Sequence, residues 1–362
     1  MVVTVNMLEG VTRVKPCASQ TVAKEANDMR NKPSILAWAL TVAATATVTA
    51  LTQVSASATS GSTAAPRIAA HFSLLQGQTP ENIALEPDGT AVVTFAAARQ
   101  VATVSPSGAT RILATLPAPA DGGVNTPVLG FALTSGVVRA QDGTLYFLYA
   151  SGSKDLTGLW RLRKGGVPHR IAALPAQSLP NGLALDDHSG RLYIADSALG
   201  KIYTVPTSGG TPTTWSAAPE LASNGFLGVN GLKIRQGALW ATNLDRGTVL
   251  RIPLGPGNRP GPVEVRATGL GGIDDFAFTG RGDEILAALD GPNEVVRIRR
   301  DGTFSTLLTG ADGLQNPTSV AVRQGVAYIP SAAYSTGSDP NLLLTPATGP
   351  KGAAKSPNAT GS

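Results

Sequence analysis

The stretch PNGLALDDHSGRLYIADSALGKIYTVPTSGGTPTTWS (residues 180–216) contains four short runs in which apolar residues alternate with other residues. The runs are PNGLALD, RLYIAD, KIYTV and TPTTWS, and Gly, Ser, Asp and Pro residues lie between them. Alternation over four to six residues, bounded by such turn residues, is typical of antiparallel strands. The segment therefore predicts one four-stranded antiparallel sheet.

The first run of this segment recurs along the chain. Copies end 44 to 52 residues apart and are PENIAL (80–85), VLGFAL (128–133), PNGLAL (180–185), VNGLKI (229–234), IDDFAF (273–278) and PTSVAV (317–322). A repeat of this length with four strands per unit is typical of a β-propeller. We therefore predict an all-β fold, a six-bladed β-propeller that spans residues 67–346.

The N-terminal end of the repeat region contains an outer-strand pattern that the C-terminal end lacks. The segment RIAAHFSLLQGQTPENIAL (67–85) resembles RIAALPAQSLPNGLAL (170–185), in which RIAA is the outermost strand of the preceding blade. The sixth copy lacks a fourth strand before the composition changes at Ala347. We therefore expect residues 67–72 to supply the outer strand of the last blade. Residues 59–66 are predicted to be a linker, and residues 347–362 a disordered tail.

Charge and cysteine content exclude several classes of function. The chain has 29 Lys and Arg against 24 Asp and Glu, a formal charge of +5. Residues 59–346 contain 22 basic and 21 acidic residues, so the predicted propeller is nearly neutral and a nucleic-acid partner is not expected. Cys17 is the single cysteine, which excludes a disulfide or a cysteine-based zinc site in the propeller.

The N-terminal region has the pattern of a secretory signal peptide. Arg30 and Lys32 precede an apolar run at residues 35–51, and Ala56-Ser57-Ala58 follows as a cleavage site. Residues 1–28 precede this pattern as an extension. The apolar run is shorter than the about 20 residues that a membrane-spanning helix needs. We therefore expect secretion, and membrane contact only if the segment stays uncleaved.

Polar residues recur at the second position of the repeat. The first strand of each propeller blade lines the central channel, so equivalent positions converge on the axis. We call these the ring positions, and they are Glu81, Leu129, Asn181, Asn230, Asp274 and Thr318. Asn and Asp also precede strands as ordinary turn residues. Two carboxylates and two amides in one register, however, supply the oxygen ligands that Ca²⁺ prefers, and they predict a metal site.

These motifs carry a family resemblance. PENIAL, PNGLALD with LYIADS, VNGLKI with LWATN, and IDDFAF resemble the calcium-dependent six-bladed propellers of the senescence marker protein, gluconolactonase and paraoxonase superfamily, which includes diisopropyl fluorophosphatase. The resemblance implies a catalytic Ca²⁺ held by Glu81, Asn181, Asn230 and Asp274. A paraoxonase-like arrangement would add Asp275. It further implies hydrolysis of a lactone or ester, with a small-molecule substrate.

Two positions depart from the family pattern. Leu129 stands where gluconolactonase-type members have Asn, and Asn230 stands where they have an Asp that acts as a base. An amide cannot serve as a general base, so Asp274 or Asp275 is the predicted catalytic residue. The histidine pair of paraoxonases is missing, because His71, His169 and His188 are predicted on outer strands or on a turn at the opposite mouth.

Loops at the end of the channel where the predicted metal site lies are expected to contact the substrate. The candidate pocket residues are Tyr149, Asp196, Phe226, Asn243, Asp290 and Tyr334. Two other functions fit the same sequence. One is a non-catalytic secreted propeller that binds a protein or a carbohydrate. The other is an enzyme like strictosidine synthase, because PNGLAL and LYIADS also resemble that family, whose members often need no metal. We expect a monomer in each case.

Export is the first testable prediction. If residues 29–58 are a signal peptide, the exported protein begins near Thr59, because the signal peptidase cuts after the small residue Ala58. N-terminal sequencing of the secreted protein checks this. Recovery of a chain that retains residues 30–58 from the membrane fraction would support the uncleaved anchor instead.

Overall fold

The computed structural model describes residues 65–348, which form six four-stranded antiparallel sheets. The predicted signal peptide, most of the linker and the last fourteen residues lie outside the described part of the chain. Within residues 65–348, helical structure is limited to four short 3₁₀ turns, so the described part holds no helix able to cross a membrane. The prediction of an all-β, six-bladed propeller is confirmed.

Each blade runs from an inner to an outer strand in chain order. The first three blades are β2 to β5 (Pro80–Leu85, Ala91–Phe95, Gln100–Val104, Thr110–Thr115), β6 to β9 (Leu133–Arg139, Leu145–Ala150, Gly158–Leu162, His169–Ala173) and β10 to β13 (Pro180–Asp186, Arg191–Asp196, Lys201–Pro206, Thr213–Ser216). The next two are β14 to β17 (Val229–Arg235, Ala238–Asn243, Thr248–Pro253, Glu264–Ala267) and β18 to β21 (Ile273–Phe278, Ile285–Leu289, Glu294–Ile298, Phe304–Leu308). The sixth has β22 (Ala321–Arg323), β23 (Val326–Ser331) and β24 (Asn341–Pro346) from the end of the propeller.

The N-terminal strand closes the sixth blade, as predicted. Strand β1 (Arg67–His71) pairs antiparallel with β24, with Arg67 opposite Leu344 and His71 opposite Asn341. Phe72 extends the contact, since its backbone N–H donates to the Pro340 carbonyl at 2.8 Å. Both ends of the propeller therefore meet in one sheet, without a covalent link.

The hydrophobic core is divided among the blade interfaces. Six clusters of buried apolar side chains each join two neighbouring blades, including the pair formed by the first and last blades. Ala70 of β1 lies in that last cluster together with Ile83 and Leu342. The alternating strand pattern produces this arrangement, because each blade buries apolar side chains on both faces.

The inner strand of the second blade differs from the sequence prediction. The repeat places Leu129 at the channel, but the inner strand is β6, and its segment Thr134-Ser135-Gly136 matches Pro180-Asn181-Gly182 of β10. Both strands carry a register shift at these residues. Leu129 instead lies in the loop before β6 and packs against a separate apolar cluster. Ser135 therefore takes the ring position that the sequence assigns to Leu129.

The first residue of the predicted tail, Ala347, makes contacts with the propeller. Ala347 is buried, its N–H donates to the Gly325 carbonyl at 2.7 Å, and its carbonyl accepts a bond from Arg297 Nη2 at 3.0 Å. The change in composition at this residue therefore does not mark the end of the fold.

Deleting residues 67–72 should destabilise the whole propeller. The deletion exposes the edge of β24 and the apolar side chains of the last interface, and such edges favour aggregation. Size-exclusion chromatography and thermal melting of the truncated chain check this against the parent that begins at residue 65. A monomer with an unchanged melting temperature would contradict closure by β1.

Candidate functional site

Four predicted ring residues lie at the start of four inner strands. Glu81, Asn181, Asn230 and Asp274 are the second residues of β2, β10, β14 and β18, and each is at most 7% exposed. Each strand shows a register shift at this point. A bulge of this kind redirects a side chain and is common beside functional sites. These four residues therefore occupy equivalent positions of their inner strands.

The other two positions are occupied by hydroxyl groups that bind backbone. Ser135 Oγ donates to the Pro180 carbonyl at 2.7 Å, and Thr318 Oγ1 donates to the Pro80 carbonyl at 2.9 Å. Each bond reaches the residue that precedes a ring side chain on the next blade. These hydroxyls thus hold Asn181 and Glu81 in place.

Three carboxyl groups at this mouth have raised pKa values. Burial raises the pKa of Glu81 from 4.5 to about 7, with smaller contributions from the charges of Asp290 and Asp275 and against a lowering by the Tyr334 hydrogen bond. Burial, then the charges of Glu81 and Asp290, raise the pKa of Asp274 well above its usual range, although the Asn230 amide opposes the shift. Burial also raises the pKa of Asp290 from 3.8 to about 6. The mouth therefore holds three acidic side chains that are largely shielded from solvent.

Two loops bring Asp290 and Tyr334 to the ring. Tyr334, in the loop between β23 and β24, donates its hydroxyl hydrogen to Glu81 Oε2. Asn316 fixes both loops, because its Nδ2 donates to the Asp290 carbonyl at 3.0 Å and its Oδ1 accepts from Ser335 N–H at 2.9 Å. Burial and the nearby carboxylates, Glu81 first, raise the pKa of the Tyr334 phenol well above 10. Tyr334 is therefore a neutral donor beside Glu81.

Two buried side-chain oxygens at this mouth lack hydrogen-bond partners. The Asn230 side-chain oxygen is buried and has no hydrogen-bond partner, and the same holds for Asp290 Oδ1. Within residues 65–348, no group of three or more His, Cys, Asp and Glu side chains is arranged to hold a metal ion. A metal at the ring would therefore depend on amide oxygens as well as on Glu81 and Asp274, which is acceptable for Ca²⁺.

Asp275 is engaged elsewhere. Both of its oxygens lie 2.7 Å from Lys233 Nζ, and Oδ2 also accepts from Asn82 Nδ2 at 2.9 Å and from Ser319 Oγ at 2.8 Å. Four donor contacts leave this carboxylate little capacity to accept a substrate proton. Of the two predicted catalytic residues, the geometry leaves Asp274 at the ring and gives Asp275 a pairing role.

The remaining predicted pocket residues divide into two groups. Tyr149 is fully buried and donates to the Pro117 carbonyl at 2.7 Å, so it packs between blades and does not face a substrate. Asp196 accepts from two backbone N–H groups, and Asn243 donates to the Glu220 and Ala222 carbonyls, so both fix loops. Phe226 is 49% exposed on its loop and remains available for contact.

Sequence reasoning missed Lys233, Asn82 and Ser319. A weak signal was present in the repeat. The residue after the ring position is Gly136, Gly182 or Gly231 in three blades, but Asn82, Asp275 or Ser319 in the others. Lys233, two residues further along its strand, has Ala or Val at the equivalent position of every other blade.

Comparisons with solved structures reveal several related folds. Regucalcin of Agrobacterium tumefaciens, a calcium-binding protein, is 19% identical with a TM-score of 0.55, over 74% of this chain and 90% of that chain. A gluconolactonase of Xanthomonas campestris is 16% identical with a TM-score of 0.55, over 78% and 94%. Virginiamycin B lyase of Staphylococcus aureus is 17% identical with a TM-score of 0.53, over 74% and 81%.

Neither the scan of protein-family models nor the search of curated proteins finds a match to this chain. The structural likeness, at under 20% identity, shows the fold. The chain is therefore a six-bladed β-propeller with the fold of regucalcin and gluconolactonase.

The charge at the ring predicts a pH-dependent stability. A carboxyl group whose pKa is raised on folding favours the protonated form, so the folded state loses stability as the pH rises through the interval from the unfolded to the folded pKa. For Glu81 that interval runs from 4.5 to about 7. In the presence of a chelator, we expect the melting temperature to fall across this interval.

Thermal melts across this interval check the prediction, with Glu81→Gln as the test variant. Glu81→Gln should reduce the slope, although Asp274 and Asp290 contribute with the same sign. Asp187→Asn is the matched control, because Asp187 is exposed on a turn away from the ring. An equal slope in Glu81→Gln and the parent would contradict the assignment.

Proposed function

We propose that this chain is a calcium-dependent hydrolase of a lactone or ester. Glu81, Asn181, Asn230 and Asp274 would hold the Ca²⁺ at the mouth of the channel. The observation that carries the proposal is the convergence of Glu81, Asp274 and Asp290 with the unpartnered oxygen of Asn230. Like charges without solvent are unfavourable unless a cation compensates them, and oxygen ligands select a hard cation.

The chemistry of the site follows from its residues. When bound, Ca²⁺ would polarise the substrate carbonyl and stabilise the oxyanion that forms on it. Asp290 is the best candidate for the general base, because one of its oxygens lacks a partner and its pKa of about 6 lies close to neutral pH. It would accept a proton from the attacking water. Tyr334 orients Glu81 through its hydrogen bond.

The loops before the inner strands of the second, third and fourth blades make one side of this mouth apolar. Leu129 and Phe131 pack there with Leu179 and Leu227, which precede the inner strands of the third and fourth blades. The carboxylates lie on the side of the fifth, sixth and first blades. A substrate with an ester or lactone carbonyl at one end and an apolar portion at the other suits this division.

Exposed apolar side chains favour a second candidate, a propeller that binds another protein at this mouth. Val124 is 67% exposed, Val128 51% and Phe226 49%, all on loops that lead into inner strands. Exposed apolar side chains at one end of a propeller are a feature of interaction surfaces when they form a continuous patch. In either case we propose that the protein is exported, on the sequence evidence of residues 29–58, and that it acts as a monomer.

Calcium should stabilise the protein through the ring. A ligand that binds only the folded state adds about 2.7 kcal/mol at a hundredfold excess over its dissociation constant, which is a rise of several degrees in melting temperature. Asp274→Asn, which keeps the shape of the side chain, should abolish the rise. Differential scanning fluorimetry with and without a chelator measures it, and Asp187→Asn serves as the control.

A panel of lactones, aryl esters and phosphotriesters then separates the candidate functions. Hydrolysis that requires both Ca²⁺ and Asp274 supports the enzyme. Asp290→Asn should keep the calcium response but lower kcat by about a hundredfold or more, as expected for loss of a general base. A calcium response without turnover supports the binding propeller. No response to calcium would overturn the metal site.

A further inference from the structure

A second polar constellation lies in the channel, one residue beyond the ring. Asp275, at 2% exposure, is bound by side chains from three other blades: Lys233 of the fourth, Ser319 of the sixth and Asn82 of the first. Asn82 is itself oriented, since its Oδ1 accepts from the Val137 N–H at 3.3 Å. The Asp275 carboxylate is thus fixed by neutral donors on one oxygen and contacts an ammonium with both.

The backbone of the fourth blade is adapted to this carboxylate. A Cβ atom at Gly231 would lie 2.3 Å from Asp275 Oδ1 and 2.8 Å from its Cα. A side chain at position 231 would therefore displace Asp275. Glycine at 231 lets β14 approach β18, and Lys233 on the same strand then reaches the carboxylate.

Lys233 is the member of this constellation that lines a cavity at the opposite end of the channel. The cavity has a volume of about 360 Å³ and is lined by the second halves of the inner strands. Small side chains such as Ala84, Ala184 and Ala277 line it together with the charged side chains of Arg139 and Asp187. A small molecule could therefore reach the position of the ammonium without passing the ring.

We propose that the Asp275 carboxylate, oriented by Asn82 and Ser319, is a cation site in the channel and that the Lys233 ammonium is its permanent occupant. The chain would thus carry a tethered cation that joins four blades around the point of closure. The ammonium also lies 5.5 Å from the centre of the Phe276 ring, a further contact that favours a cation. This inference does not depend on calcium binding or on hydrolysis at the ring.

Removal of the tethered cation should create a site that a free cation can fill. Lys233→Ala leaves a buried carboxylate without its charge partner, which lowers the melting temperature by about 5 °C or more. Ethylammonium chloride, at up to about 100 mM, should restore a measurable part of this loss by binding the folded state from the cavity. Tetramethylammonium chloride, which matches the ionic strength but has no N–H donor, should restore nothing.

Three controls define the effect. Lys201→Ala removes a lysine that also lies over an aromatic ring, Tyr203, but belongs to none of the ion pairs found in residues 65–348. It should show neither the loss nor the rescue. The parent protein should not respond to ethylammonium. In the double variant Lys233→Ala with Asp275→Asn, the rescue should disappear, because the carboxylate that binds the cation is gone.

The outcome decides between a cation site and a simple ion pair. A loss in Lys233→Ala that ethylammonium reverses, and tetramethylammonium does not, supports the proposal. An equal response to both salts, a loss no larger than in Lys201→Ala, or a loss without rescue would overturn it. If Lys233→Ala does not accumulate as folded protein, the yield on refolding with each salt replaces the melting temperature as the readout. This test does not involve calcium binding by the parent protein. The calcium experiment on the ring therefore succeeds or fails independently of it.

Discussion

The inner strands of neighbouring blades approach each other closely around the channel, and the rest of the structure depends on this contact. Cβ atoms at Gly136 and Gly182 would lie 2.3 Å and 2.0 Å from the carbonyl oxygens of Asn181 and Asn230 on the next blade. Buried hydroxyls then join adjacent strands: Ser197 Oγ donates to the Val229 carbonyl at 2.8 Å, as Ser135 and Thr318 do at their own interfaces. The glycines thus permit the approach, and the hydroxyls fix its register.

The same close approach concentrates charge, and the chain treats two groups of carboxylates differently. Asp275 is neutralised by Lys233 and saturated with hydrogen bonds. Glu81, Asp274 and Asp290 have no basic partner among the ion pairs of residues 65–348, and their pKa values are raised by burial. Burial of unpaired charge costs stability. The three carboxyl groups at the ring stay unpaired, whereas Asp275 is fully paired. Unpaired buried carboxyl groups of this kind are suited to bind an exchangeable cation or to transfer protons.

Much of this arrangement is predictable from the sequence, because equivalent positions of the repeat occupy equivalent positions of the inner strands. The number of blades, closure by β1, and the positions of Glu81, Asn181, Asn230 and Asp274 follow from it. The second blade is the exception, because VLGFAL matches the apolar pattern of the repeat better than TSGVVR does, although only the latter has the small residues that the axis requires. The roles of Tyr149, Asp196 and Asn243 were not predictable, since loop membership does not reveal whether a polar group faces solvent or binds backbone.

The pairing of Lys233 with Asp275, one residue beyond the ring, is not predictable from the pattern of either strand. Glycine follows the ring position in the second, third and fourth blades, and polar residues follow it in the fifth, sixth and first. Each set is ordinary turn chemistry when read alone. The two sets lie on opposite halves of the channel, and they come into contact there. Gly231 leaves the space that Asp275 occupies, and Lys233, on the strand with the glycine, forms an ion pair with Asp275. A function that needs a fixed charge at this depth can therefore be built from residues that no local pattern connects.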